Sequence, residues 1–196
     1  MTVRVPAKVN LQLAVGPVRP DGFHELVTVF HAISLYDEVT VSEADRRQVT
    51  VTGEGATAVP RDDGNLAVQA VTALARAAGL PPRRVPRVVS ETSGPPAAGP
   101  GVAIEIRKRI PVAAGLAGGS ANAAAALVAC NELWRAGLSQ QELAEVAAGI
   151  GSDVAFALVG GTSVGQGRGE RLTPALVTGQ YHWVLAFATG GLSTAD

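Results

Sequence analysis

A single cysteine, Cys130, excludes a disulfide within the chain, and its place in an apolar run marks it as a small buried hydrophobe. No Cys/His cluster has zinc spacing. There is no surplus of basic charge: the formal net charge is −1 at pH 7, which gives no broad field for nucleic acid or an anionic membrane. No apolar run approaches the roughly 18–20 residues of a membrane span, and Met1 to Lys8 holds no apolar leader core. A soluble, cytoplasmic protein is the expectation. Lysine is scarce as well. Of sixteen basic residues only Lys8 and Lys108 are lysine, a bias that reserves the compact ammonium for places where a planar guanidinium will not serve.

What is present is enough for one sizeable core. The 196 residues are 47% hydrophobic and 17% charged, the composition of a globular domain. Val3, Val5, Val9, Leu11, Leu13 and Val15 fall on odd positions and predict a strand over 3–16. Strands rich in Val, Thr and Ile are expected from Leu26 to Leu35, Glu38 to Ser42 and Gln48 to Thr52. Asn65 is a good N-cap for a helix from Leu66 to about Ala78, stopped by Gly79 and Pro81. Residues 81–100 hold six of the twelve prolines and read as an exposed loop. A strand over 102–107 follows, then a helix from Ser120 to about Ala136. Ser139 and Glu142 form a capping box for a helix over 140–148, and a short helix is expected near Ser152. Gly160 to Gly169 reads as a hairpin or bulged strand, and His182 to Ala188 as a last buried strand. No internal repeat is present. Strands first, then helices interleaved with strands, favour an α+β fold with a mixed, mainly antiparallel sheet and helices on one face.

The most informative stretch is Ile110-Pro-Val-Ala-Ala-Gly-Leu-Ala-Gly-Gly-Ser-Ala-Asn-Ala-Ala-Ala-Ala126, which runs from a strand through a glycine-rich loop into an alanine-rich helix. Gly115, Gly118 and Gly119 let backbone N–H groups turn inward with no Cβ in the way. The helix that follows adds unpaired N–H groups and a positive dipole end, together a site for a polyphosphate. A tight strand-to-helix connection is the plainer reading. The loop is neither a Walker A sequence, lacking a closing Lys-Ser or Lys-Thr, nor a G-x-G-x-x-G fingerprint. Ser120, at the first helical turn, could ligate Mg²⁺ or cap the helix.

Pro6-Ala-Lys-Val-Asn10, Pro111 to Ala121 and Gly151-Ser-Asp-Val-Ala-Phe156, in this order, resemble the GHMP kinases. The resemblance runs from residue 3 to about 194. It implies a ribosomal protein S5 domain 2-like N-terminal domain over 1–190, with 191–196 as the start of a C-terminal domain. It further implies that Pro111, Val112, Ala113, Ala114, Gly115, Leu116, Ala117, Gly118, Gly119, Ser120 and Ala121 wrap the phosphates of ATP, with Ser120 near Mg²⁺. Asp153 then faces an acceptor hydroxyl as general base, and Lys8 pairs with it and stabilises charge on the attacking oxygen. Taken alone, Asp153 reads as a helix cap, Lys8 as a solvated strand lysine and Lys108 as solvent-exposed.

Asp21-Gly-Phe-His-Glu-Leu26 and Gly167-Arg-Gly-Glu170 resemble a family member whose small-molecule acceptor is a cytidine diphosphate-linked methylerythritol. The resemblance implies that Phe23 and His24 hold the cytosine ring, that Asn10 bonds the ligand or orients Lys8, and that Thr194 contacts the acceptor. Phe23 stands where the family carries tyrosine, which keeps stacking but removes a phenolic hydrogen bond. Ala155 replaces the usual proline after Asp-Val. With the chain ending at Asp196, the expectation is weak nucleotide binding, poor turnover and exposed apolar surface that favours aggregation or a homodimer. Other readings are a homoserine or mevalonate-type kinase, an RNA-binding module on the same scaffold, and a catalytically silent fragment.

Overall fold

The structure is a computed structural model and describes residues 1–20, 22–81 and 99–187. Two long strands dominate it. β1 (Thr2–Val18) and β2 (His24–Glu43) form an antiparallel hairpin whose register runs from Thr2 opposite Thr40 to Val18 opposite His24. Because β1 covers one edge of β2 throughout, the other strands share the opposite edge. β4 (Val102–Lys108) pairs with Glu38 to Glu43, and β5 (Thr162–Gly167) with Leu26 to His31. β3 (Gln48–Gly53) extends the sheet beside β4 in a parallel pairing, and β6 (Arg171–Pro174) closes a hairpin with β5. A mixed, mainly antiparallel sheet is what the sequence predicts.

Among the described residues four α-helices cover one face: α1 (Leu66–Ala77), α2 (Gly118–Leu133), α3 (Gln140–Ile150) and α4 (Ser152–Val159). Strand periodicity fixes which face. In β4, Val102, Ile104, Ile106 and Lys108 point to the helices and are buried. α2 sits at the centre, packed on β1 and β2 below and on α1, α3 and α4 at its flanks. Its run of Ala123 to Ala126 is buried. Small side chains let a helix approach neighbours on several sides at once, and a helix apolar all round belongs in a core.

The ends of the helices obey local chemistry. Asn65 Oδ1 accepts the backbone N–H of Ala67 at 2.9 Å and starts α1, as expected. Ser139 and Glu142 form the reciprocal capping box of α3. The Glu142 carboxyl is held below its ordinary range by the Ser139 backbone N–H and then by the Ser139 hydroxyl. Cys130 is buried, and desolvation pushes its thiol up to about 12.

Three expectations need revision. β2 is continuous where two strands are expected, because a register shift at Pro6/Ala7 absorbs the irregularity around Ser34 and Leu35. α2 begins at Gly118, two residues before Ser120. Residues 182–187 form no strand: the apolar run has no ladder partner among the described residues, and Val184 is fully exposed. Ala188 and nearly all of the loop 81–100 lie outside the described residues.

Candidate active site

Lys8 lies on β1 and is 9% exposed. Its backbone N–H donates to the Leu116 carbonyl at 3.2 Å, which ties β1 to the glycine-rich loop. Its ammonium donates to Asn10 Oδ1 at 2.7 Å, two residues along the same strand face. The Asn10 amide donates to the Thr28 hydroxyl at 2.7 Å, and that hydroxyl donates to the Gln12 carbonyl at 2.9 Å. This chain fixes the amide with its oxygen towards Lys8. Asp153, in the first turn of α4, places Oδ2 3.6 Å from the Lys8 ammonium and is one-third exposed. Phe30 underlies the pair, its ring 5.8 Å from Lys8 Nζ and stacked on Phe156 of α4 at 4.8 Å. Residues 145 positions apart in the chain thus meet at the mouth of the loop.

The loop has an unusual backbone. Ala113, Gly115 and Ala117 alternate at φ 58, 71 and 56. Left-handed residues at every second position turn successive N–H groups to one side, the geometry of an anion-binding nest. Two of the three are alanines, each carrying on the order of 1 kcal/mol of strain that the surrounding fold sustains. Ala117 is the N-cap of α2, with no side-chain capping bond.

This loop forms one wall of a cavity of about 310 Å³, in the size range of small-ligand pockets. Residues 111–119 line it, opposite Val59, Pro60, Asn65 and Leu66, with Lys108, Gly118 and Asn122 at its base. No side chain fills the cradle at Gly115, where an added Cβ would meet nothing within 4 Å. At Gly118 the reverse holds: a Cβ there would stand 2.8 Å from Lys108 Nζ and 3.1 Å from Ile110.

Beneath the loop is a buried charge cluster. Asp37 is 0% exposed. Its Oδ1 accepts the backbone N–H groups of Arg109 and Ile110 at 2.7 and 2.8 Å. Its Oδ2 pairs directly with the Lys108 ammonium and accepts from the Asn122 amide at 2.8 Å. Lys108 also donates to Asn122 Oδ1 at 3.2 Å. The cluster therefore pins the entry to the loop and the first turns of α2 to β2. The expectation that Lys108 is solvent-exposed fails, because period-2 alternation turns it inward beside Ile104 and Ile106 and Asp37 compensates its charge.

Among the other predicted site residues, Ala121 is buried in α2 and neither it nor Ser120 lines the cavity. Ser120 is half-buried in the first helical turn. Phe23 and His24 lie at the tip of the β1–β2 hairpin, where the Phe23 ring is 52% exposed and His24 Nδ1 is 2.8 Å from the Gly16 carbonyl oxygen. Thr194 lies outside the described residues. Asp37, Asn122 and the wall from Ala58 to Leu66 are contributors that sequence reasoning missed. Among the described residues no His/Cys/Asp/Glu cluster could hold a metal by itself, and no helix is long and apolar enough to cross a membrane.

A nest leads into a helix, a cavity lies beside it, and a lysine–aspartate pair is tied to the loop through the Lys8 backbone. Residues 65–161 match the family model described as GHMP kinases N terminal domain. The chain belongs to the GHMP kinases. It is 52% identical over 193 residues to a 4-diphosphocytidyl-2-C-methyl-D-erythritol kinase from Salinispora arenicola, covering 98% of this chain and 56% of the relative. To the enzyme of the same name from Thermobifida fusca it is 54% identical over 202 residues, covering 99% and 60%. A crystal structure of 4-(cytidine 5'-diphospho)-2C-methyl-D-erythritol kinase superposes with a TM-score of 0.65 at 35% identity, over 91% of this chain and 56% of that one. The chain thus spans little more than half the length of the relatives it matches.

Proposed function

We propose that this chain is the phosphate-donor half of a kinase that transfers the γ-phosphoryl group of ATP to the 2-hydroxyl of 4-diphosphocytidyl-2-C-methyl-D-erythritol. Residues 1–190 form the ATP-binding domain in this reading. The observation that carries it is the meeting of Lys8 and Asp153 at 3.6 Å, with the Lys8 backbone bonded to the loop at Leu116. The relatives' names supply the acceptor.

The cavity fits a nucleotide. Its apolar wall of Val59, Pro60, Leu66 and Val112 suits a base, and the amides from Ala113 to Gly119 suit a triphosphate. Mg²⁺, when bound, neutralises phosphate charge, and Ser120 is the residue we assign to it. Such an ion keeps several waters and takes most of its ligands from phosphates.

The transfer needs positioning and charge stabilisation more than covalent chemistry. Asp153 accepts the acceptor hydroxyl proton in a hydrogen bond and aims the oxygen. The Lys8 ammonium, held by Asn10, offsets negative charge as that oxygen attacks. Phe23 offers an exposed ring for the cytosine face and His24 a ring nitrogen for its edge. That exposed aromatic favours a base-bearing acceptor over homoserine or mevalonate.

The test is transfer of label from γ-labelled ATP to the acceptor by the full natural polypeptide, and by its Asp153→Ala variant. Transfer that falls by about 10²- to 10⁴-fold in the variant with nucleotide affinity intact supports the reading. Undiminished transfer overturns it.

A further inference from the structure

The acceptor assigned above has its base at one end, its reacting hydroxyl at the other and a diphosphate between them, and the present inference rests on that assignment. The base end maps to the hairpin tip at Phe23 and His24, and the hydroxyl end to Asp153. What lies between is the turn joining β5 and β6. Leu26 pairs with Gly167, so the turn flanks the hairpin tip. Gly169 packs against the start of α4, where an added Cβ would stand 3.3 Å from Ser152 Cβ and 3.5 Å from the Phe30 ring. Gly167 and Gly169 are both left-handed, at φ 77 and 102. Arg168 between them is therefore the only side chain the crest of the turn presents.

We propose that Arg168 is a specificity-determining residue that grips the diphosphate of the acceptor. Its guanidinium carbon stands 4.9 Å from the Phe23 ring centroid. Stacking uses the flat face of a guanidinium and leaves the N–H groups around its edge directed outward, the fork that matches phosphate oxygens two at a time. Neighbouring cations are already engaged. Arg19 and Arg171 both reach Glu25, at 3.1 and 3.5 Å. Glu170, beside Arg168 in sequence, spends a carboxylate oxygen on the Arg168 backbone N–H at 2.7 Å. Among the described residues no carboxylate forms an ion pair with the Arg168 guanidinium. A half-buried cation without an anion among the described residues, stacked on the ring that takes the base and next in sequence to Gly169, which packs on the start of α4 where Asp153 lies, fits a bridging diphosphate in charge and in position.

The experiment compares the unaltered full polypeptide with Arg168→Met, which keeps a flexible apolar stem on Phe23, and Arg168→Lys, which keeps the charge without the fork. Steady-state kinetics are measured for both substrates, with CDP and cytidine as inhibitors competing for the acceptor site. The expected result for Arg168→Met is a KM for the acceptor raised about 10- to 100-fold, with the KM for ATP within about twofold. The preference for CDP over cytidine is expected to collapse in the same variant, while Arg168→Lys retains part of it. An unchanged acceptor KM or an unchanged CDP-to-cytidine ratio overturns the inference. So does an equal rise in both KM values, which is the mark of a general structural role. Failure of the unaltered polypeptide to phosphorylate this acceptor overturns the proposed function itself, a result separate from any effect of Arg168.

Discussion

The two lysines of this chain occupy opposite kinds of environment within one site. Lys108 is locked in direct contact with a carboxylate that solvent never reaches, and Asn122 holds both partners. Lys8 faces a partly exposed Asp153 at 3.6 Å, longer than an ordinary charged hydrogen bond, and donates to Asn10 at 2.7 Å. A charge compensated at close range and cut off from water has little left to give a ligand. A charge held at longer range by a partly exposed carboxylate can still respond to a phosphoryl group and a hydroxyl. In the proposed function the same residue type thus builds the floor of the loop in one place and serves the reacting end in the other. Neither role follows from residue identity; the burial of the partner carboxylate and the distance to it separate them.

Substitution at each lysine should therefore fail in a different assay. Lys8→Ala or Asp153→Asn is expected to cut turnover by about 10²- to 10⁴-fold while thermal unfolding shifts little. Equal losses of activity and stability would erase the contrast. On the floor, Asp37→Ala leaves the buried Lys108 charge unpaired and is expected to cost about 3–5 kcal/mol in denaturant unfolding. Replacing both with apolar residues, as Asp37→Leu with Lys108→Met, should recover part of that loss, although Arg109 and Ile110 then lack their acceptor.

Smaller effects sharpen the boundary between the two regions. Gly118→Ala should cost about 1–3 kcal/mol of stability and weaken nucleotide binding, because the new methyl meets Lys108 Nζ at 2.8 Å. Gly115→Ala meets open space, so only its left-handed backbone resists, at roughly 1 kcal/mol. Equal effects at the two glycines would argue against a packed floor. At the remote end of the helical layer, the Glu142 carboxyl titrates below its ordinary range because Ser139 binds its ionised form. Its contribution is present above the unfolded value near 4.5 and is lost as pH falls through the folded one. A Glu142→Gln variant should accordingly flatten the acid limb of a stability–pH curve by a small amount.

Local rules made much of the fold legible. The Asn65 cap, the Ser139–Glu142 box and the alternation in β1 and β4 each depend on residues within a few positions of one another. Residues 182–187 form no strand, because in sequence an apolar run with no partner to pair with resembles one that has a partner. The site divides along the same line. The loop announces itself through glycine spacing, yet the strained conformations at Ala113 and Ala117 do not, since alanine gives no sign of positive φ. Lys8 with Asp153, and Asp37 with Lys108, are long-range pairs that no local pattern joins; the first is implied by the family resemblance alone. Lys108 was within reach, since alternation from Val102 through Ile106 turns it inward, but a lysine is by default assigned to the surface.

The most direct measurement is a crystal structure of the full polypeptide with a non-hydrolysable ATP analogue. The expected density places the triphosphate against the amides of Ala113 to Gly119, with its terminal phosphate beside Lys8 Nζ and Asp153. A triphosphate bound elsewhere, or one whose terminal phosphate points away from that pair, would contradict the assignment of the lysine–aspartate pair to phosphoryl transfer.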